Sequence, residues 1–265
     1  MSKTPWRTAI ADFDKDHIRI AGYAIGDLMR NLDFGGSLFV LMQQRIPSAA
    51  EAKIVNAILV SVLDHGIVAP SVAARVVAAS GVPIQACVAA GIMTIGDVHG
   101  GAGQELARRL IDWVKEAKQE GIELPEQARR IVAAARERKK YVEGFGHPLH
   151  PRIDERTDTT LAMAHELGVA GPHVQLVELI AAEIEKQTGR SIPVNVDGAM
   201  ASVLMDLGFD WRAVRMFVFV PRAAGVSAHV VEEQMRERGW RVVADETDTH
   251  YDGPAPRAYP SGTQG

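Results

Sequence analysis

Apolar side chains recur every three or four residues along most of this chain, and few stretches alternate with a period of two. That spacing constrains the fold most, because it lines one face of a helix rather than one face of a strand. Segment 103–119 carries Leu106, Leu110 and Val114 at fourfold spacing, with charges between them. Segment 125–142 opens on Pro125, which the first helical turn tolerates, and sets Ala128, Ile131, Val132 and Ala135 on one face. Its other face is basic: Arg129, Arg130, Arg136, Arg138, Lys139 and Lys140. Segment 173–187 stacks Leu176, Val177, Ile180, Ala181 and Ile184, and segment 222–238 stops at Gly239. Further helices are expected over 36–45, 49–64, 70–80, 84–95, 157–167, 198–206 and 210–218. The best strand signal is the short run Trp240-Arg241-Val242-Val243. More than half of the chain therefore reads as helix, against a usual share of about one third, and an all-α fold is expected. The polar, turn-rich tail from Asp252 onward is expected to be extended or poorly ordered.

The chain has 265 residues, enough for one or two domains, with 47% apolar and 23% charged residues, as in ordinary globular proteins. The net charge of -4 lacks the basic excess of a general nucleic-acid binder, leaving room only for a local basic patch. Cys87 is the single cysteine, so no internal disulfide forms, and its apolar neighbours mark it as a core residue in a reducing compartment. The N-terminus has no signal-peptide core and no apolar run approaches about 18 residues, so no membrane span and a cytoplasmic location are expected. Small-residue stretches such as Ala78-Ala79-Ser80-Gly81 and Ala89-Ala90-Gly91 suit close helix packing, in the core or at a subunit seam.

Four polar points interrupt the apolar pattern at glycine-rich turns. In Leu63-Asp64-His65-Gly66, His65 follows an apolar helix and Gly66 stops it, with Pro70 and Ser71 restarting the next; alone, this is a histidine at a helix C-terminus. In Gly96-Asp97-Val98-His99-Gly100-Gly101-Ala102-Gly103, glycines flank His99 and admit close backbone approach to a ligand. The following helix points its free N–H groups back at the turn. This run lacks the Lys-Ser/Thr of a phosphate loop and no strand precedes it, which excludes a nucleotide-binding loop. In Gly144-Phe145-Gly146-His147-Pro148-Leu149-His150, the prolines make an extended turn, and no ligand spacing for a metal is present. In Pro193-Val194-Asn195-Val196-Asp197-Gly198, Asp197 sits ahead of a helix, as a plain N-cap or as a reactive carboxylate.

In this order and spacing the four points resemble the citrate synthase superfamily, over about residues 23–259. The resemblance extends to Phe34-Gly35-Gly36-Ser37-Leu38, Gln44-Arg45-Ile46-Pro47, Thr94-Ile95-Gly96-Asp97 and Phe217-Val218-Phe219-Val220-Pro221-Arg222, running on to Ser227-Ala228-His229. It is nearest to the citryl-CoA lyase branch, including the C-terminal lyase module of ATP citrate lyase; the length also suits that branch.

The resemblance implies catalytic roles for His99, His147 and Asp197. His99 would stabilise the enol of a thioester, His147 would polarise the keto-acid carbonyl, and Asp197 would move the proton at carbon. It assigns His65, Arg156 and Arg222 to the keto acid, and lays coenzyme A along Gly100, Gly101, Gly144 and Gly146. Arg152, Lys139 and Lys140 stand near its phosphates, although the two lysines equally suit a solvated helix face. The chemistry agrees: an enol needs a base and an oxygen stabiliser held together, and carboxylates suit planar, permanently charged guanidinium donors. Coenzyme A enters as substrate or product, and no other cofactor is implied.

The implied architecture is a large helical domain, 1–99 and 206–265, with a small helical domain, 100–205, inserted and closing on it, in a homodimer. Two features depart from the family. The acidic run 245–249 stands where synthases carry an arginine that reaches a citrate carboxylate across the dimer, and Pro148 follows His147. The first favours cleavage of citryl-CoA, in which a thioester replaces that carboxylate. The alternatives are a synthase condensing acetyl-CoA with oxaloacetate or another 2-oxo acid, and a non-catalytic CoA-binding subunit.

Overall fold

The computed structural model describes residues 6–146, 154–237, 239–241, 244 and 247–258. Among them the chain is all-α apart from one small sheet, in the order β1 (Ala11–Phe13), β2 (Ile18–Ile20), β3 (Tyr23–Ala24), then α1 (Ile25–Asn31), α2 (Phe34–Gln43), α3 (Ala49–Ser61), α4 (Ala69–Ala79), α5 (Ile84–Ile92) and α6 (Ala102–Glu120). There follow α7 (Leu124–Glu137), α8 (Glu155–Glu166), α9 (Pro172–Thr188), α10 (Val196–Asp206), a 3-10 turn at Trp211–Ala213, and α11 (Met216–Arg236).

Local chemistry explains the helix starts. Ser48 caps α3 in a reciprocal box: its hydroxyl accepts from the Glu51 N–H at 3.2 Å, and the Glu51 carboxylate accepts from the Ser48 N–H at 2.7 Å. Asp33 caps α2 through the Gly36 N–H, and Pro125 and Pro172 sit in the first turns of α7 and α9. Gly121 and Gly189 end α6 and α9 in the left-handed region. The expected core stripes are buried: Leu106 and Leu110 on α6, Ala128, Ile131 and Val132 on α7, and Leu176, Val177, Ile180 and Ile184 on α9.

One apolar cluster joins α2, α3 and α6 through α10 to Phe217 and Val218 at the start of α11. A second, smaller one joins Ala74 and Ala78 of α4, Cys87 of α5, and Val226 and Val230 of α11. Here the small residues serve close packing: a Cβ at Gly91 would lie 2.7 Å from the Pro70 carbonyl oxygen and 2.8 Å from Val226 Cγ1. α10 is central, packing against α6, α8 and α9.

The structure corrects several expectations. The segments 210–218 and 222–238 are joined: α11 runs through Pro221, which interior helices normally reject. Burial of Phe217, Val226 and Val230 on either side outweighs the lost hydrogen bond. So joined, Trp211–Arg236 is long and apolar enough to cross a membrane by length and composition. It nonetheless buries Arg222 and Glu233 and packs on α4 and α5, as a core helix does. α7 stops at Glu137, not 142, because Lys139 takes φ 52°. The antiparallel meander β1-β2-β3 and α1 were not expected. These strands are two or three residues long and mostly exposed, so they carry almost no periodic signal. Trp240 and Arg241 form no strand, and Val242 and Val243 lie outside the described residues.

Candidate active site

Two glycine turns converge on the N-terminus of α10. In the first, Gly96 and His99 exchange backbone hydrogen bonds of 3.0 and 3.1 Å, which folds residues 96–99 into a tight loop with His99 exposed. Gly100 takes φ 80°, and a Cβ on Gly101 would lie 2.7 Å from both Asp97 Cα and the Gly96 carbonyl oxygen, so only glycine fits there. Arg215, at the start of α11, latches this loop through its ion pair with Asp97 at 2.5 Å. Gly103, one residue into α6, packs directly against Asp197: its Cβ position is 3.4 Å from that of Asp197.

The second turn, Gly144-Phe145-Gly146, zips onto the strand-like segment ahead of α10. The Gly146 N–H donates to the Pro193 carbonyl at 2.8 Å and the Asn195 N–H to the Gly144 carbonyl at 2.9 Å. The Asn195 side-chain amide donates to the Gly146 carbonyl at 2.8 Å, while its carbonyl oxygen accepts from the Gly198 N–H at 3.1 Å. Asn195, not Asp197, is therefore the N-cap of α10. That frees the Asp197 carboxylate, on the second helical residue, from capping. A side chain at Gly144 (φ 87°) would run into Leu106 of α6, and one at Gly198 into the Gly144 backbone. The turns thus close against each other through glycine contacts that larger residues would wedge apart.

The charges meet around Asp197. Burial pushes its pKa above the usual carboxylate value, against the opposing pull of Arg156 and His99. Arg156, in the first turn of α8, is held by a two-pronged pair with Asp154: Nε and Nη2 donate at 2.9 and 2.7 Å. It borders a cavity of about 430 Å³ between α3 and α8, together with Lys53, Asn56 and Ser61. Arg222, on α11, is buried, and its Nε donates to the Val62 carbonyl at 3.0 Å. Desolvation draws its pKa below the ordinary guanidinium value, Asp64 opposing this and Arg156 adding to it. Arg222 is thus a desolvated cation without an ion pair among the described residues, whereas Arg156 is already paired with Asp154.

His65 lies on the loop from α3 to α4, where Gly66 takes φ 72°. Asp197 feels the charges of Arg156 and His99, and Arg222 that of Arg156, so the four are drawn into one electrostatic cluster. Lys139 and Lys140 are exposed beyond the end of α7; Lys140 lines a small cavity of about 150 Å³ with Arg136, Tyr141, Phe145 and Ile192. His147, Arg152 and Pro148 lie outside the described residues, as do Asp245 and Glu246 of the acidic run. Among the described residues no group of three His, Cys, Asp or Glu side chains could hold a metal ion. Sequence reasoning passed over the Arg215–Asp97 latch and the double duty of Asn195; neither shows before the partners are brought together, although Asn at an N-cap is a readable signal.

Comparison with known proteins bears on the same residues. The model of the citrate synthase C-terminal domain matches residues 30–242. The structure of citryl-CoA lyase from Hydrogenobacter thermophilus superposes with a TM-score of 0.87 at 35% identity, over 96% of this chain and 97% of that one. A 2-methylcitrate synthase of Shewanella oneidensis is 26% identical over 247 residues, which are 92% of this chain and 61% of that protein. Citrate synthase 2 of Bacillus subtilis is 29% identical over 203 residues, 76% of this chain and 52% of that protein. The chain thus spans between half and two thirds of the length of these curated synthases.

Proposed function

The chain belongs to the citrate synthase family of enzymes, and from that premise we propose that it is a citryl-CoA lyase. It would cleave citryl-CoA, or a related 3-hydroxy-3-carboxyacyl-CoA, to acetyl-CoA and oxaloacetate. The observation that carries the reading is the placement of Asp197: Asn195 takes the helix cap and leaves its carboxyl free, beside Gly103 and under the influence of His99 and Arg156, and burial shifts that carboxyl toward its protonated form, the direction that suits a proton donor to a carbanion. The likeness to the Hydrogenobacter lyase supports the choice of reaction.

In this mechanism His147 accepts the proton of the tertiary hydroxyl. The alkoxide collapses to the keto group of oxaloacetate, and the electron pair of the broken C–C bond passes into the thioester as an enolate. His99 donates a hydrogen bond to the thioester oxygen, and Asp197 delivers its proton to carbon, completing the acetyl methyl. Arg156, Arg222 and His65 hold the carboxylates and keto group of the oxaloacetate half. Coenzyme A follows Gly100, Gly101, Gly144 and Gly146, with Lys139, Lys140 and Arg152 toward its phosphates. Closure of the segment 100–205 on the rest, within a homodimer, would assemble the site and exclude water.

Purified protein given citryl-CoA, without ATP, is expected to release oxaloacetate, read by coupled NADH oxidation with malate dehydrogenase, together with acetyl-CoA. No oxaloacetate would refute the lyase reading. A synthase is the second reading, favoured by the curated relatives; it predicts free thiol release from acetyl-CoA and oxaloacetate, where the lyase predicts none.

A further inference from the structure

A polar chain, buried at Glu233 and reaching the surface at Asp64, runs across α11 to the loop that carries His65, and the proposed mechanism does not use it. Its far end is Glu233, almost wholly buried, which accepts from Arg75 Nε at 2.7 Å and from Arg241 Nε and Nη2 at 2.8 and 2.9 Å. Arg75 reaches over from α4; its Nη1 donates to Glu232 at 2.7 Å and lies 3.4 Å from His229 Nδ1. Across the same ring, His229 Nε2 stands 3.1 Å from Asp64 Oδ1. The other Asp64 oxygen accepts from the Gly66 N–H at 2.7 Å. Asp64 and Gly66 bracket His65.

Donor chemistry fixes where the ring proton sits. A guanidinium only donates, so the Nδ1 facing Arg75 is the acceptor; a carboxylate only accepts, so the Nε2 facing Asp64 carries the hydrogen. A second ring proton would set an N–H against the Arg75 guanidinium. The charged groups around the ring are Arg75 from α4, Asp64 from the loop after α3, and Glu232 and Glu233 from α11. The loop has no slack: a side chain at Gly225, one turn before His229, would run into the Leu63 carbonyl oxygen. Arg222, one turn earlier again, holds the Val62 carbonyl.

We infer that His229 is a positioning residue for the keto-acid half of the site: by gripping Asp64 it fixes the 62–66 loop, and with it His65 and the backbone on which Arg222 rests. The inference rests on the reading of His65 and Arg222 as contacts of the keto acid. Its test uses the full chain, the variants His229→Leu and His229→Gln, and oxaloacetate and coenzyme A as separate ligands. Glutamine can accept from Arg75 and donate to Asp64; leucine can do neither.

In histidine-15N-labelled wild-type protein the His229 ring is expected to show the Nε2–H tautomer at neutral pH. His229→Leu is expected to weaken oxaloacetate binding roughly ten- to hundredfold, to leave coenzyme A binding unchanged, and to shift the His65 ring resonances but not those of His99. His229→Gln restores most of the oxaloacetate affinity. An Nδ1–H or doubly protonated ring, wild-type oxaloacetate binding in the leucine variant, or equal loss of both ligands overturns the inference. If wild-type protein binds neither ligand, the functional reading fails, and the tautomer and the His65 resonances decide the positioning role by themselves. Should His229→Leu not fold, the tautomer and the glutamine variant's His65 resonances decide it.

Discussion

The Asp206 carboxylate clamps two helices, and removing it is expected to unfold more than a surface change would. Asp206 ends α10, and its side chain is 2% exposed. It accepts from the Gly171 N–H at 2.7 Å, the His173 N–H at 3.0 Å, the Val174 N–H at 2.9 Å and His173 Nδ1 at 2.8 Å. The first four amides of a helix have no carbonyl partner within it. In α9 one of the four is Pro172, which has no N–H, so a single carboxylate serves all the others. A hydrogen bond to a charged group is worth roughly 1.5–3 kcal/mol, and a stranded buried donor costs roughly 1–3 kcal/mol. These terms are not additive, and breaking a buried charged network costs roughly 3–5 kcal/mol in all. Asp206→Ala is therefore expected to lose about 4 kcal/mol, a fall in Tm of about 10 °C for a chain of this size. Asp206→Asn is the sharper probe. Each carboxylate oxygen serves at least one backbone N–H, so whichever way the amide turns, its NH2 faces a backbone donor that it cannot accept from. It is expected to lose at least about 2 kcal/mol despite equal volume. Urea unfolding followed by far-UV circular dichroism, with the m-value compared between variants, measures both. An asparagine variant within about 0.5 kcal/mol of wild type, the range of an ordinary surface change, would refute the clamp.

Four further outcomes follow from the site. Asp197→Asn is expected to lower citryl-CoA cleavage by roughly 10²–10⁴-fold while leaving the Tm unchanged or raised, measured by coupled oxaloacetate release and differential scanning fluorimetry; a large Tm loss would make the residue structural. Because the folded pKa of Asp197 is raised, its protonated form survives above the usual carboxylate range: kcat for cleavage falls as pH rises through that raised value, and a kcat that climbs through it would contradict the proton-donor role. Arg222→Met removes a desolvated cation, so stability is expected to hold or improve while oxaloacetate affinity, read by calorimetry, drops roughly a hundredfold. Gly144→Ala meets both a left-handed φ of 87° and the Leu106 side chain; a loss above about 2 kcal/mol and of cleavage activity is expected in urea titration and assay, and a neutral result would show that the turn can shift.

Most of the helical fold is legible in the sequence because it is a matter of one-dimensional period. Leu106, Leu110, Ile131, Val132 and Ile180 show their burial through spacing alone. The misses have different causes, none of them a matter of apolar period. Pro221 reads locally as a break, and only packing against α4 and α5 carries α11 through it. The meander at Ala11–Ala24 is held by backbone pairing and by Arg19 with Asp12 and Asp14 across the strands, not by an apolar face. Glycine placement made the site's neighbourhood visible, since runs such as Gly96–Gly103 have no helical purpose. The distribution of protons stayed hidden: whether Asp197 caps a helix or keeps a free carboxyl depends on Asn195 having taken the cap and also the Gly146 carbonyl.

That distribution has a bearing on the direction of the chemistry. Asp197 sits at a helix N-terminus beside Arg156 and His99, three influences that each favour its charged form. Its pKa is raised all the same, desolvation outweighing the pull of Arg156 and His99. The fixed overall equilibrium cannot be altered by the enzyme, but the protonation state of the resting site decides which half-reaction begins without a prior proton transfer. A synthase must start from the carboxylate, to take a proton from the acetyl methyl; the proposed lyase must start from the acid, to give one back. A raised pKa enlarges the population ready for cleavage and shrinks the one ready for condensation. In the proposed mechanism, substrate carboxylates held at Arg156 and Arg222 would work in the same sense, since added negative charge near Asp197 raises its pKa further. Condensation and cleavage rates measured across pH on the same preparation should therefore have optima displaced from one another, cleavage on the acid side. Coincident optima would mean that another group, not Asp197, sets the proton balance.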